Sequence, residues 1–125
     1  MPQRRRKTFV IDMAVNGKWS LNRIYSGLHK SARAKQAQTV HWLVRSAISR
    51  QCKPIRMFEK PVKVHIRYNS RLGIDNHGYL SKLIIDGMKG ILIQDDTRRY
   101  VTCLKQTFHT ENASKIFVDV IESQI

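Results

Sequence analysis

The run from Val62 to Tyr68 alternates apolar and basic side chains without a break: Val62, Val64, Ile66 and Tyr68 against Lys63, His65 and Arg67. Successive side chains of an extended segment point to opposite faces, so the apolar set shares one face and the basic set the other. The segment is predicted to be a strand with one side in a core and the other facing solvent or a phosphate backbone. Pro61, just ahead of it, closes a connecting stretch that runs from Cys52 to Lys60.

The other elements follow from the same test. Phe9 to Val15 alternates, with Phe9, Ile11, Met13 and Val15 on one side, and predicts a first strand ending at the turn signal Asn16-Gly17. Lys18 to Tyr25 reads as an irregular loop in which Arg23 contacts phosphate, while Trp19 and Tyr25 either grip nucleic acid or cap the core. From Ser31, read as an N-cap, to about Gln51, the positions Ala37, Val40, Val44, Ala47 and Ile48 fall at helical spacing. Arg33, Lys35, Arg45 and Arg50 occupy the other face; His41 and Trp42 lie among these positions, His41 as a structural residue. Asn69 to Gly78 is polar and reads as loop. Leu80, Leu83, Ile84 and Met88 form a shorter helical stripe, weakened by Gly87 and stopped by Gly90. Arg98 to Phe108, with Tyr100, Thr102, Leu104 and Phe108 on one face, and Ile116 to Ile121 are predicted strands, joined by a hairpin turn at Thr110-Glu111-Asn112. The expected fold is α+β, a small mixed β-sheet with two helices against it in the order β-α-β-α-β-β.

Length makes this one domain, residues 1–125. A formal net charge of +14 and a pI near 10.4 select a nucleic-acid partner over an anionic membrane, since no amphipathic anchor or apolar run of spanning length accompanies the charge. Arg4-Arg5-Arg6-Lys7 reads as part of a basic N-terminal arm, residues 1–7, touching phosphate or solvated. It does not read as an export signal, because Asp12 interrupts the apolar stretch that follows. Cys52 and Cys103 belong to no Cys/His metal spacing and are expected to be reduced thiols of a cytoplasmic protein.

Acid, by contrast, is concentrated. Four of the nine acidic residues, Asp75, Asp86, Asp95 and Asp96, lie between Gly73 and Asp96, where only Lys82 and Lys89 offset them. Carboxylates that face a polyanion need a cation between them, and Mg²⁺ is held by one or two carboxylates together with water and phosphate oxygens. A polar turn at Asp95-Asp96 is the competing reading. A helix from Leu80 to Lys89 runs about 15 Å, and the steps from Gly90 to Asp96 can extend to about 20 Å, so the chain can return alongside the helix. Asp75 and Asp95-Asp96 can then share one helix end, with Lys82 in the first turn near it and Asp86 one turn further along.

These residues resemble the RusA family of Holliday junction resolvases. The likeness rests on Ile74-Asp75-Asn76, Leu80-Ser81-Lys82, Asp86 and Leu92-Ile93-Gln94-Asp95-Asp96, with Pro61-Val62-Lys63-Val64 and Asn22-Arg23 similar too. It covers nearly the whole chain, but its specific part is Ile74 to Asp96. The resemblance implies that Asp75 and Asp96 are catalytic, metal-binding carboxylates, that Lys82 is the essential lysine, and that Asp95 is a further metal ligand. The cofactor implied is Mg²⁺, replaceable by Mn²⁺, with Asn76, His77 and Asp86 orienting the ligands. Two departures stand out: Gly73 occupies a position where the family's best-known members have an aspartate, and His77-Gly78-Tyr79 is inserted before the helix. The resemblance further implies a homodimer that resolves four-way DNA junctions by paired nicks in recombination and repair, with Arg23, Lys63, Arg67, Arg71 and Arg98 on the DNA. The competing expectations are a noncatalytic basic nucleic-acid-binding protein and a metal nuclease preferring forks or flaps.

Overall fold

Hydrophobic periodicity places each element, and long-range pairing then orders them. The computed structural model describes residues 5–12, 30–69, 77–109 and 115–123, excluding the side chains of 30–33, 69 and 77–79. The chain runs β1 (Arg6–Asp12), α1 (Lys30–Gln51), β2 (Val62–Asn69), α2 (His77–Met88), β3 (Val101–His109) and β4 (Lys115–Glu122). This is the expected α+β order. The four strands form one mixed sheet in the order β1-β4-β2-β3, with β4 antiparallel to both neighbours and β2 parallel to β3. A parallel pair needs a crossover connection, which α2 supplies.

The expected hairpin between the last two strands does not form. β4 pairs with β1 and β2, while β3 lies at the far edge. The apolar content of the two strands accounts for this. β4 buries Ile116, Val118 and Val120 in strict alternation, whereas Thr102, Cys103, Leu104, Lys105 and Gln106 of β3 are all exposed. A mostly polar strand is tolerated where one row of its backbone groups faces water. Accordingly Leu104 and Phe108, expected on one face of this strand, stay 39% and 41% exposed.

Both helices cover one face of the sheet. Phe9, Ile11, Val62, Val64, Ile66, Tyr68, Ile116, Val118 and Val120 meet Val40, Val44, Ala47 and Ile48 of α1 and Leu80, Leu83, Ile84 and Met88 of α2 in a single core. Met13 and Val15, read as continuing the first strand, lie outside the described residues. Within this core Tyr68 and Ser81 are fully buried, and their hydroxyls lie 2.6 Å apart; Ser81 also donates to Gln106 Oε1 at 2.6 Å. The opposite face carries no helix among the described residues. There Arg6 makes a bidentate pair with Asp119 at 2.7 Å, and the Arg67 guanidinium lies 4.9 Å from the centre of the Phe117 ring.

Three local expectations change. Ser31 sits inside α1, which already includes Lys30, so it is not the N-cap. α2 takes in His77 and Gly78, read as loop, and Tyr79, read as inserted before the helix, because packing of the stripe that follows outweighs the cost of glycine in a helix, about 1 kcal/mol. Arg5 and Arg6 are not a free arm: Arg5 donates to the carbonyls of Arg56 and Met57 and lies 4.3 Å from the Phe58 ring centre, and Arg6 is already within β1. No helix among the described residues is long and apolar enough to cross a membrane.

Candidate functional site

α2 ends where its geometry requires. Gly90 adopts φ +78°, a conformation that glycine enters without steric penalty, and this turns the chain sharply after Lys89. Gly90 N–H donates to the carbonyl of Ile93 at 2.7 Å, and Ile91 and Leu92 donate back to the carbonyl of Met88 at 3.2 and 3.0 Å. The chain therefore does not run back along the helix in extended form, as expected from its contour length, but curls at the C-terminal end of α2, so Asp95 and Asp96 do not reach the opposite end, where they are expected beside Lys82. Leu92 and Ile93 are buried there, and Phe58 N–H holds Leu92 O at 2.7 Å. Apolar burial on one side of this turn thus fixes the two residues that follow Gln94.

Those residues are Asp95 and Asp96, and they meet Asp86 of α2 around one cation. The Lys89 ammonium lies 3.4 Å from Asp86 Oδ1, 3.7 Å from Asp95 Oδ1 and 3.4 Å from Asp96 Oδ1. Since each oxygen is within 3.7 Å of one nitrogen, any two are separated by no more than twice that distance. Desolvation works to lower the ammonium's pKa, but the charges and hydrogen bonds of Asp86 and Asp96 outweigh it and hold it above its ordinary value. Asp95 Oδ1 also accepts from the backbone N–H of Asp96 at 2.8 Å, so the acidic pair forms a polar turn and a carboxylate cluster at once. The turn and cluster readings are therefore compatible.

The oxygen-only donor set suits a hard divalent cation, and the ammonium marks the point that positive charge occupies between the carboxylates. Among the described residues no three His, Cys, Asp or Glu side chains are already spaced to hold an ion. Contraction from ammonium contacts to metal–oxygen bonds of about 2.0–2.1 Å would be needed, with Lys89 withdrawing. As placed, the three carboxylates hold the Lys89 ammonium, and their oxygens are of the type that ligates Mg²⁺.

The other sequence-predicted residues are dispersed. Lys82 is exposed on α2, one helical turn before Asp86. His77 opens α2, and its side chain is outside the described set, as are Asp75, Asn76, Arg71 and Arg23 entirely. Lys63 and Arg67 lie on the helix-free face of the sheet, whereas Arg98 is exposed in the turn just after Asp96. The reading that assigned these residues to DNA therefore spans two faces of the molecule.

Sequence reasoning did not single out Lys89 or Arg45. Lys89 had one usable signal, its i,i+3 spacing from Asp86. Arg45 had none, because its side chain donates to the carbonyl oxygen of Lys89, 44 positions away, at 3.2 Å. This contact ties the outer surface of α1 to the carboxylate cluster. No family model matches the chain, and no curated protein matches it.

Proposed function

We propose that this protein is a Mg²⁺-dependent endodeoxyribonuclease acting on branched DNA, the four-way junction foremost, as its resemblance to the RusA resolvases implies. The observation that carries the reading is the gathering of Asp86, Asp95 and Asp96 around a single positive charge in a chain of net charge +14. Asp95 and Asp96 would hold the ion with Asp86 beside them; Asp75 joins this set through the resemblance alone. Bound there, Mg²⁺ would supply charge stabilisation at the phosphoryl oxygens and a more acidic water.

The chain's own residues do the rest. Lys82, exposed one turn before Asp86, offsets negative charge building on the phosphate or leaving oxygen. Arg98, close after the acidic pair, holds a neighbouring phosphate. A homodimer of C₂ symmetry would present two such sites for paired nicks on opposing strands. The protein would act in the cytoplasm of a bacterial or phage-infected cell.

One observation favours a second reading: Lys89 already neutralises part of the acidic cluster, which suits a noncatalytic DNA-binding protein with a salt-bridged turn. A single panel separates the two. Labelled junction, duplex, fork and flap substrates are incubated with Mg²⁺ or with EDTA. Cutting in Mg²⁺ alone, lost by at least about a hundredfold in Asp96→Asn with binding retained, supports the nuclease. Intact substrates throughout would leave the binding protein, and preference for forks or flaps would change the substrate.

A further inference from the structure

Trp42 is 67% exposed in the middle of α1. An indole so placed forgoes one of the largest burial gains available to any side chain. The cations that line the surface around it among the described residues are Lys35, Arg45 and Arg50. The 22-residue helix α1 contains five basic residues, Lys30, Arg33, Lys35, Arg45 and Arg50, and no acidic one. Helices on protein surfaces are usually laced with both signs, since i,i+4 pairs of opposite charge stabilise them. A helix that omits every carboxylate accepts self-repulsion that a polyanion would relieve.

Two hollows flank the indole. One, of about 620 Å³, is lined by Trp42, Arg45, Ser46, Ser49 and Arg50; the other, of about 370 Å³, by Lys35, Gln38, Thr39 and Trp42. Each joins the ring to a cation and to hydroxyl or amide groups, which is the combination that holds a base on an aromatic face and its phosphates on either side. Arg45 fixes where this surface lies, because its guanidinium also bonds to the Lys89 carbonyl, next to the carboxylates.

We propose that Trp42 is a base-stacking residue that determines preference for branched DNA. A base released from its pair at the branch stacks on the indole, Arg45 and Arg50 take its flanking phosphates, and the strand is thereby led toward Asp86, Asp95 and Asp96. The proposal rests on the proposed function for its branched-DNA ligand and on the nuclease reading for its last step. Nucleic acid is favoured over a second copy of the chain because a two-fold interface through this face would set unbalanced positive charge against itself.

The test is done in EDTA, where binding is read without cutting. Tryptophan emission is titrated with a four-way junction, a single strand and a blunt duplex, for the parent protein and for Trp42→Phe. A quench by junction and single strand that is smaller in Trp42→Phe, where Trp19 is the one remaining tryptophan, is expected, together with a roughly ten- to hundredfold loss of junction affinity in Trp42→Ala. Trp42→Phe should retain most of the affinity, because a phenyl ring still stacks. A DNA-induced change in emission of the same size in parent and Trp42→Phe titrations, or parent-like affinity in Trp42→Ala, overturns the proposal. So does a change of sedimenting mass in Trp42→Ala with DNA affinity unchanged, which would make this face an interface between copies. Quenching in EDTA without any cutting in Mg²⁺ would overturn the nuclease and leave the stacking role standing.

Discussion

At the scale of single residues, Lys89 has the largest consequence. It holds together three carboxylates that would repel one another in its absence. Replacing it by methionine keeps the length of the side chain and removes the charge. Lys89→Met is expected to melt at lower temperature than the parent in EDTA and to gain a larger upward shift in melting temperature from Mg²⁺, because the ion no longer competes with an ammonium. An unchanged Mg²⁺ response in a thermal-shift series would show that the carboxylates do not take the ion. Tyr68 illustrates the opposite environment. Burial pushes its phenol well above the ordinary tyrosine value of about 10, and the Ser81 hydrogen bond only partly reverses this. The folded protein therefore keeps a proton that the unfolded chain releases, so stability is intact below about pH 10 and falls as pH rises above it. Tyr68→Phe should cost about 1 kcal/mol at pH 7, since Ser81 keeps Gln106 as a partner, and should flatten the alkaline decline in denaturant midpoints.

Between elements, the contact that sets the site is the crossing of α1 over α2 at Gly87. A methyl group there would sit 3.0 Å from Val44 Cβ, 3.2 Å from Val44 Cγ1 and 3.4 Å from His41 Cα. Val44 is β-branched and fully buried, and a helix backbone does not yield locally, so the helices must separate. Gly87→Ala gains about 1 kcal/mol in helix propensity and loses about 1–3 kcal/mol to overpacking, so a net loss of stability is expected in urea unfolding. Val44→Ala in the same chain should recover part of that loss, a coupling that a double-mutant cycle would measure. Gly87 precedes Lys89 by two positions, so separation of the helices also displaces the carbonyl that Arg45 holds. Glycine here is a condition of close packing, although from composition alone it reads as a weakness in the helix.

For the molecule as a whole, charge and topology act independently. With 23 basic residues against nine acidic ones, DNA binding should fall steeply with salt, by about a hundredfold or more between 50 and 200 mM as displaced counterions cease to favour the complex. Affinity that is flat across that range would remove the electrostatic basis for a nucleic-acid partner. The side-chain period is a local property, and so the amino-acid sequence alone determined the type and order of all six described elements and the buried face of β1, β2 and β4. It also singled out Asp86, Asp95 and Asp96 as an unusual concentration of acid. Strand order depends on pairing between distant segments, and only the tertiary structure decided that β4 enters between β1 and β2 while β3 stays at the edge. The same holds for the site. Lys89 was one cation among many until the buried turn at Leu92 and Ile93 folded Asp95 and Asp96 back onto it, and Trp42 occupied an ambiguous helical position until packing left it facing outward beside Arg45.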